Sequence, residues 1–298
     1  MAEGTIPFRV NGDVAETWYR IEGDLHPDGP PPLVVLHGGP GASHDYLLAL
    51  RDLADDRAVV FYDQVGNARS THYPERGADF YTVDLFVREL QNLVDELGIA
   101  DRHHVLGQSW GGFLGQEYAF THPAGLKALV LSNTAASFPD FVREANRLRA
   151  DLPPEVEETL KHHEEAGTTD NPEYEQACIV FYGRHLCRVD PWPQEVIDAF
   201  AWIEKDPTVY HTMNGPSEFH VIGSIRDWQS KDRLGEIEVP TLITSGRYDE
   251  ATPALQEALV EGIPNSKWVL FEESSHTPFV EERERYMQVV GDWLARND

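Results

Sequence analysis

Cysteine is scarce in this chain of 298 residues: only Cys178 and Cys187 occur, outside any CxxC or Cys/His metal spacing. That excludes a disulfide-framework fold and the common thiolate zinc sites. A bond between the two is open, but a pair of buried free thiols is the expectation for a reducing compartment. Basic residues are also few, 24 Lys and Arg against 51 Asp and Glu, for a net charge of -27. Such a field repels phosphate backbones and anionic lipid, which disfavours nucleic-acid and membrane-surface roles. It favours a cationic substrate, although solubility is the simpler reason and salt adaptation a third. No stretch approaches the ~18 consecutive apolar residues of a membrane helix, and Met1 to Thr5 lacks the basic start and apolar run of a signal peptide. A cytoplasmic protein is the expectation. Apolar residues are plentiful: 41% hydrophobic content and seven Trp suffice for a large core, so wholesale disorder is excluded.

Along the chain, Phe8 to Val10 and Ala15 to Ile21 flank Asn11-Gly12-Asp13, a strong hairpin signal. The run Leu33-Val34-Val35-Leu36 reads as a strand covered on both faces, ending at His37-Gly38-Gly39-Pro40-Gly41. Residues 44–54 read as helical, and Ala58 to Tyr62 as another buried strand. Val83, Phe86, Val87, Leu90, Leu93, Val94 and Leu97 keep the period of an amphipathic helix. Further strands are expected at Val105-Leu106, Ala128 to Leu131, Thr241 to Ser245 and Trp268 to Phe271, with closing helices at 253–262 and 281–296. Strands alternating with helices spell a mostly parallel α/β sheet. Between Phe138 and Trp228 the texture changes to four helical segments, 138–150, 154–166, 173–187 and 193–204, before strands resume. The expected division is a core of residues 1–137 and 231–298 interrupted by a helical cap at 138–230. Inserted caps usually shape the substrate pocket.

The chemistry centres on Gly107-Gln108-Ser109-Trp110-Gly111-Gly112, placed after an apolar run and before a helical pattern. That is the strand–turn–helix context in which a Gly-x-Ser-x-Gly turn raises its serine as a nucleophile. A serine hydroxyl needs a base, and the base needs a carboxylate to hold its tautomer. Asp249 follows one late strand and His276 follows the last, so both are expected at the edge where Ser109 lies. A turn or helix-capping role for Asp249 before Thr252-Pro253 is the alternative. His37, His104 and His122 are expected to orient loops or pack, and His162-His163 to form an exposed helical pair. The N–H groups of Gly39 and Trp110 are the candidate oxyanion donors.

These residues resemble the proline iminopeptidases of the α/β-hydrolase superfamily. The resemblance is carried by His37 to Gly41, Tyr62-Asp63-Gln64, Gly107 to Gly112, Met213-Asn214-Gly215-Pro216-Ser217-Glu218-Phe219 and Gly246-Arg247-Tyr248-Asp249-Glu250. It implies an α/β-hydrolase fold, a serine aminopeptidase or amino-acid amidase, and the triad Ser109, Asp249 and His276. It further implies that Glu218 and Glu250 hold the substrate's free ammonium, in keeping with the need of a buried cation for carboxylate partners. The substrates would be small peptides, amino-acid amides or arylamides with a free amino terminus, and no metal or organic cofactor is required. An esterase or lactonase on the same machinery, or a ligand-binding protein with a vestigial triad, is the alternative. One departure stands out: the family's Gly-x-Gly-x-Ser loop is here Gly66-Asn67-Ala68-Arg69-Ser70. Alanine at 68 is expected to resist a positive φ there.

Overall fold

The computed structural model describes all 298 residues. Alternating apolar and polar positions open the chain as the antiparallel pair β1 (Ala2–Val10) and β2 (Asp13–Glu22). They are joined where Asn11 and Gly12 both take positive φ, 48° and 94°, the backbone a two-residue hairpin loop requires. Six shorter strands complete the sheet: β3 (Leu33–Leu36), β4 (Val59–Tyr62), β5 (His103–Gln108), β6 (Leu126–Ser132), β7 (Thr241–Gly246) and β8 (Ser266–Phe271). Their order in the sheet is β1-β2-β4-β3-β5-β6-β7-β8, parallel from β4 through β8.

Burial on both faces explains the continuous apolar runs of the central strands. Val34, Leu36, Val60, Tyr62, Val105, Leu129 and Ile243 face one cluster with α1 (Val83–Glu96), α2 (Trp110–Ala119) and α8 (Pro253–Gly262). Their neighbours Leu33, Val35, Val59, Phe61, Leu106, Val130 and Leu242 face the other. There they meet the 3₁₀ helix Asp45–Asp55 and α10 (Arg283–Ala295). The Thr82 side chain caps α1 by accepting from Leu85 N–H at 3.2 Å, supplying a partner the helix itself lacks.

Between β6 and β7 the chain forms five α-helices followed by a loop at 214–230: α3 (Phe138–Arg149), α4 (Pro154–Ala166), α5 (Pro172–His185), α6 (Gln194–Lys205) and α7 (Thr208–Met213). Ala145, Leu160, Tyr174, Phe181, Tyr182 and Phe219 form an apolar cluster of their own. Ser137 and Gln229 meet in an isolated antiparallel bridge, closing the ends of this insertion.

Four expectations need correction. The short α7 has too few turns to show a period, and it adds a fifth helix to the four read from the sequence. The closing helix is two helices, α9 (Pro278–Glu281) and α10, broken at Glu282. The break lets Glu281 accept from Ser275 N–H at 2.7 Å and Glu282 from Ser274 O–H at 2.7 Å, so both carboxylates serve the loop before them. His163 is buried rather than exposed, its Nδ1 2.8 Å from Thr168 Oγ1 just past the end of α4. Ala68 does adopt a positive φ, 45°. Bonds from Asn67 N–H to Gln64 O, Gly66 N–H to Thr71 O and Arg69 N–H to Asp63 Oδ2 surround it and impose the conformation.

The turn after β5 depends on glycine for close approach. A Cβ at Gly107 would lie 2.0 Å from Gly111 O, and one at Gly111 would lie 2.1 Å from Leu36 O. Alanine ordinarily gains about 1 kcal/mol over glycine inside a helix. Here the sign reverses, because backbone must move. Gly111→Ala is expected to destabilise by about 2 kcal/mol or more, read as a lower urea midpoint.

Candidate active site

Parallel register aligns the ends of the central strands: Leu36 pairs with Gly107, Gln108 with Ser132, and Ser132 with Thr244. The loops after β3, β5, β6, β7 and β8 therefore open on one edge, around the place where β3 lies between β4 and β5 and the direction of strand addition reverses. Such switch points form crevices in open α/β sheets.

Ser109 sits there at φ 54° and ψ -123°, a strained conformation for a residue with a Cβ. Its N–H donates to Ser132 O at 3.0 Å, and its carbonyl accepts from Thr134 O–H at 2.9 Å. Strand β6 thus holds the turn from behind. Trp110 opens α2, so its N–H has no helical acceptor.

His276, on the loop after β8, points Nδ1 at Asp249 Oδ1 across 2.7 Å. Asp249 also accepts from Ala251 N–H at 2.8 Å and from Asn133 Nδ2 at 2.6 Å. The bond to Ala251 N–H is a turn contact ahead of α8, whose N-cap position is Thr252, so Asp249 does not cap that helix. His276, Ala251 and Asn133 all donate to the Asp249 oxygens. Asn133 was not singled out from sequence. Its signal is a polar Ser132-Asn133-Thr134 triplet at a strand end, with Asn133 at φ 52°, a region asparagine tolerates better than most.

A cavity of about 650 Å³ is lined by Gly39, Ser109, Glu218, Glu250 and His276, with Tyr182, Trp192, Phe200 and Tyr210 among its apolar walls. Asp249 lies behind the imidazole. Ser109 lines the cavity and makes no direct hydrogen bond to His276; such contacts often close only when substrate arrives. Glu250 Oε1 is 3.7 Å from His276 Nε2, and its Oε2 is buried without a hydrogen-bond partner. Glu218 accepts from the Tyr210 hydroxyl at 2.6 Å. It is therefore half-buried and held in place, and α7 supplies the tyrosine that orients it.

The electrostatics follow from burial and crowding. Burial and the nearby carboxylates of Glu218 and Asp249 hold Glu250 well above the usual carboxylate range, against the opposing pull of His276. Burial raises Glu218 too, with the Tyr210 hydroxyl and His276 working against it. Burial would depress His276, but Asp249, Glu250 and Glu218 outweigh it and push the imidazole up to about 9.

The loop bearing Gly39 is fixed by His37. Gln64 N–H donates to His37 Nε2 at 3.0 Å, which leaves the proton on Nδ1, 3.0 Å from Gly38 O. Burial lowers the His37 pKa to about 4 and keeps this tautomer neutral. The Gln64 side chain joins the His37 carbonyl to the Trp110 indole at 3.1 and 3.0 Å. His37 is thus a loop-orienting residue. His104 is buried within β5, its Nε2 3.2 Å from Asp298.

Residues 31–283 match the family model described as alpha/beta hydrolase fold. A proline iminopeptidase of Thermoplasma volcanium is 40% identical over 266 residues, covering 89% of each chain. The crystal structure of proline iminopeptidase from Mycobacterium smegmatis superposes with a TM-score of 0.89 at 45% identity, over 99% of this chain and 98% of that one. The crystal structure of VinJ gives a TM-score of 0.96 at 51% identity, over 100% of this chain and 99% of that one. On the fold, the shared edge of the sheet and these matches together, the chain belongs to the proline iminopeptidase family of α/β hydrolases.

Proposed function

We propose that this protein is a prolyl aminopeptidase-like serine hydrolase that cleaves the amide bond after a free N-terminal residue of a peptide, amino-acid amide or arylamide. Ser109 attacks the carbonyl of that residue while His276 takes its proton, with Asp249 stabilising the imidazolium. The N–H groups of Gly39 and Trp110 receive the oxyanion. His276 returns the proton to the departing amine, and water, deprotonated by His276, then releases the acyl group from Ser109. Glu218 and Glu250 pair with the substrate ammonium, and the helical segment 138–230 acts as a cap that closes over it. The observation that carries this reading is the placement of two carboxylates on the wall of the cavity that Ser109 and His276 also face. A cation there gains two carboxyl acceptors, one of them with an oxygen otherwise unpartnered, and its charge draws both toward the ionised form.

The test is a pair of prolyl or alanyl arylamides, one with a free amine and one N-acetylated. Acetylation removes the cation and is expected to lower kcat/KM by about 100-fold or more. Equal rates would end the aminopeptidase reading and favour an esterase. The leaving side carries a second expectation. Asp170, Glu175 and Glu204 also line the cavity, and no Lys or Arg does. A dipeptide's C-terminal carboxylate meets a negative field there. Amidating that terminus is expected to raise kcat/KM by about tenfold, an effect that shrinks with added salt.

A further inference from the structure

Three loops of the sheet edge are joined by two side chains outside the proposed triad. Gly38 N–H donates to the Tyr46 hydroxyl at 2.7 Å. Tyr46 O–H donates to Gln108 Oε1, and Gln108 Nε2 donates to the carbonyl of His276 at 3.1 Å. We propose that Tyr46 and Gln108 form one positioning relay that sets the oxyanion loop, the nucleophile turn and the base loop relative to one another. The inference rests on the reading of Ser109 and His276 as nucleophile and base.

The relay can run in one direction only. A backbone N–H donates and a backbone carbonyl accepts, so the tyrosine oxygen receives Gly38 and its single proton goes to Gln108. The amide must then turn its oxygen to Tyr46 and its NH₂ to His276. Little space surrounds the chain of bonds: a Cβ at Gly38 would come within 2.8 Å of Tyr46 Oη and 3.0 Å of Ser109 Cβ. Gln108 is buried, so losing either link leaves a buried polar group without a partner. Because Tyr46 occupies Gly38 N–H, the next donor along the loop, Gly39, is left for the substrate oxygen. The imidazole loop is also tied to residue 108, directly before the nucleophile, so a shift in one moves the other. Displacements of about 1 Å at such sites cost on the order of 100-fold in rate. The Tyr46 ring, 6.0 Å from that of Phe279 in α9, is held independently of its hydroxyl.

The experiment uses Tyr46→Phe, Gln108→Leu, the double variant and Gln108→Glu, assayed with a free-amine arylamide. Each single change is expected to lower kcat by about 10- to 100-fold, with KM altered by less than about threefold. Members of one relay act as a unit, so the double variant is expected to be no slower than the worse single, within about threefold. Gln108→Glu keeps an acceptor for Tyr46 but sets an oxygen against the His276 carbonyl, and is expected to lose as much as Gln108→Leu. Labelling of Ser109 by a fluorophosphonate should slow in parallel with kcat, which a loss of folded protein would not produce once active-site titration is applied. Singles within twofold of the parent, or losses that multiply in the double variant, overturn the relay. If Gln108→Leu does not fold, Tyr46→Phe and Gln108→Glu decide the matter alone. Ser109→Ala separates the two ideas. Turnover surviving in it overturns the nucleophile reading and the relay together; its loss, with relay variants at full speed, overturns the relay only.

Discussion

Asparagine at position 249 is expected to lower kcat by about four orders of magnitude while leaving KM and the melting temperature nearly unchanged. The carboxylate accepts from three donors: His276 Nδ1, Ala251 N–H and Asn133 Nδ2. An amide of the same shape has one oxygen and one NH₂, so the NH₂ must face either His276 and Ala251 N–H together or Asn133. If the NH₂ faces His276, the imidazole carries its proton on Nε2 and has no lone pair to take the proton of Ser109. If it faces Asn133, that side chain must give up its bond, and the imidazolium still loses the negative charge that stabilises it. Either way the base fails. A kcat within about tenfold of the parent would remove Asp249 from the proposed mechanism.

The second large effect concerns pH and Glu250. A base must be unprotonated to act, and His276 is pushed up to about 9 in the free protein by Asp249, Glu250 and Glu218, against the effect of burial. For an uncharged substrate, kcat/KM is therefore expected to rise with pH through the neutral range, reach half its limit near pH 9 and level off above that. An ammonium bound between Glu218 and Glu250 offsets their charge and lowers the His276 pKa. The rise in kcat for free-amine substrates should thus fall at lower pH than the rise in kcat/KM. Glu250→Gln removes one raising charge and one ammonium partner at once. The rise for uncharged esters moves down toward the ordinary histidine value, about 6.5, and kcat/KM for free-amine substrates drops by about 100-fold or more. Pure KM loss with no movement of the pH profile would break the link between Glu250 and the imidazole. An equal loss for amine and blocked substrates would remove it from ammonium binding.

The positive φ of Ala68 shows how local rules yield to the assembled chain. A turn bond from Ser70 N–H to Asn67 O at 3.0 Å spans it, Asp63 and Thr71 anchor the loop from both sides, and the conformation is the one that closes. Glu281 and Glu282 teach the same lesson. Their helical pattern runs on into that of α10, yet bonds to Ser274 and Ser275 stop the first helix at Glu281.

What this sequence determined unaided were the features with short-range causes. Apolar runs bounded by glycine and proline marked the parallel strands, and Asn11-Gly12 marked the hairpin. The spacing of Gly107, Ser109 and Gly111 is a steric requirement of one tight turn, legible without any distant residue. Strand ends then placed Asp249 and His276 on the same edge, because parallel strands share their carboxyl ends. Tertiary structure alone decided the partners that give those residues their properties. Asn133 reaches Asp249 across 116 positions, Tyr46 reaches Gln108 across 62 and Gln108 reaches His276 across 168. A hydrogen bond is specified to tenths of an ångström, and no periodicity or composition carries that over such separations. Only the packed sheet does, and with it the crowding of Glu218, Glu250 and Asp249 around one imidazole.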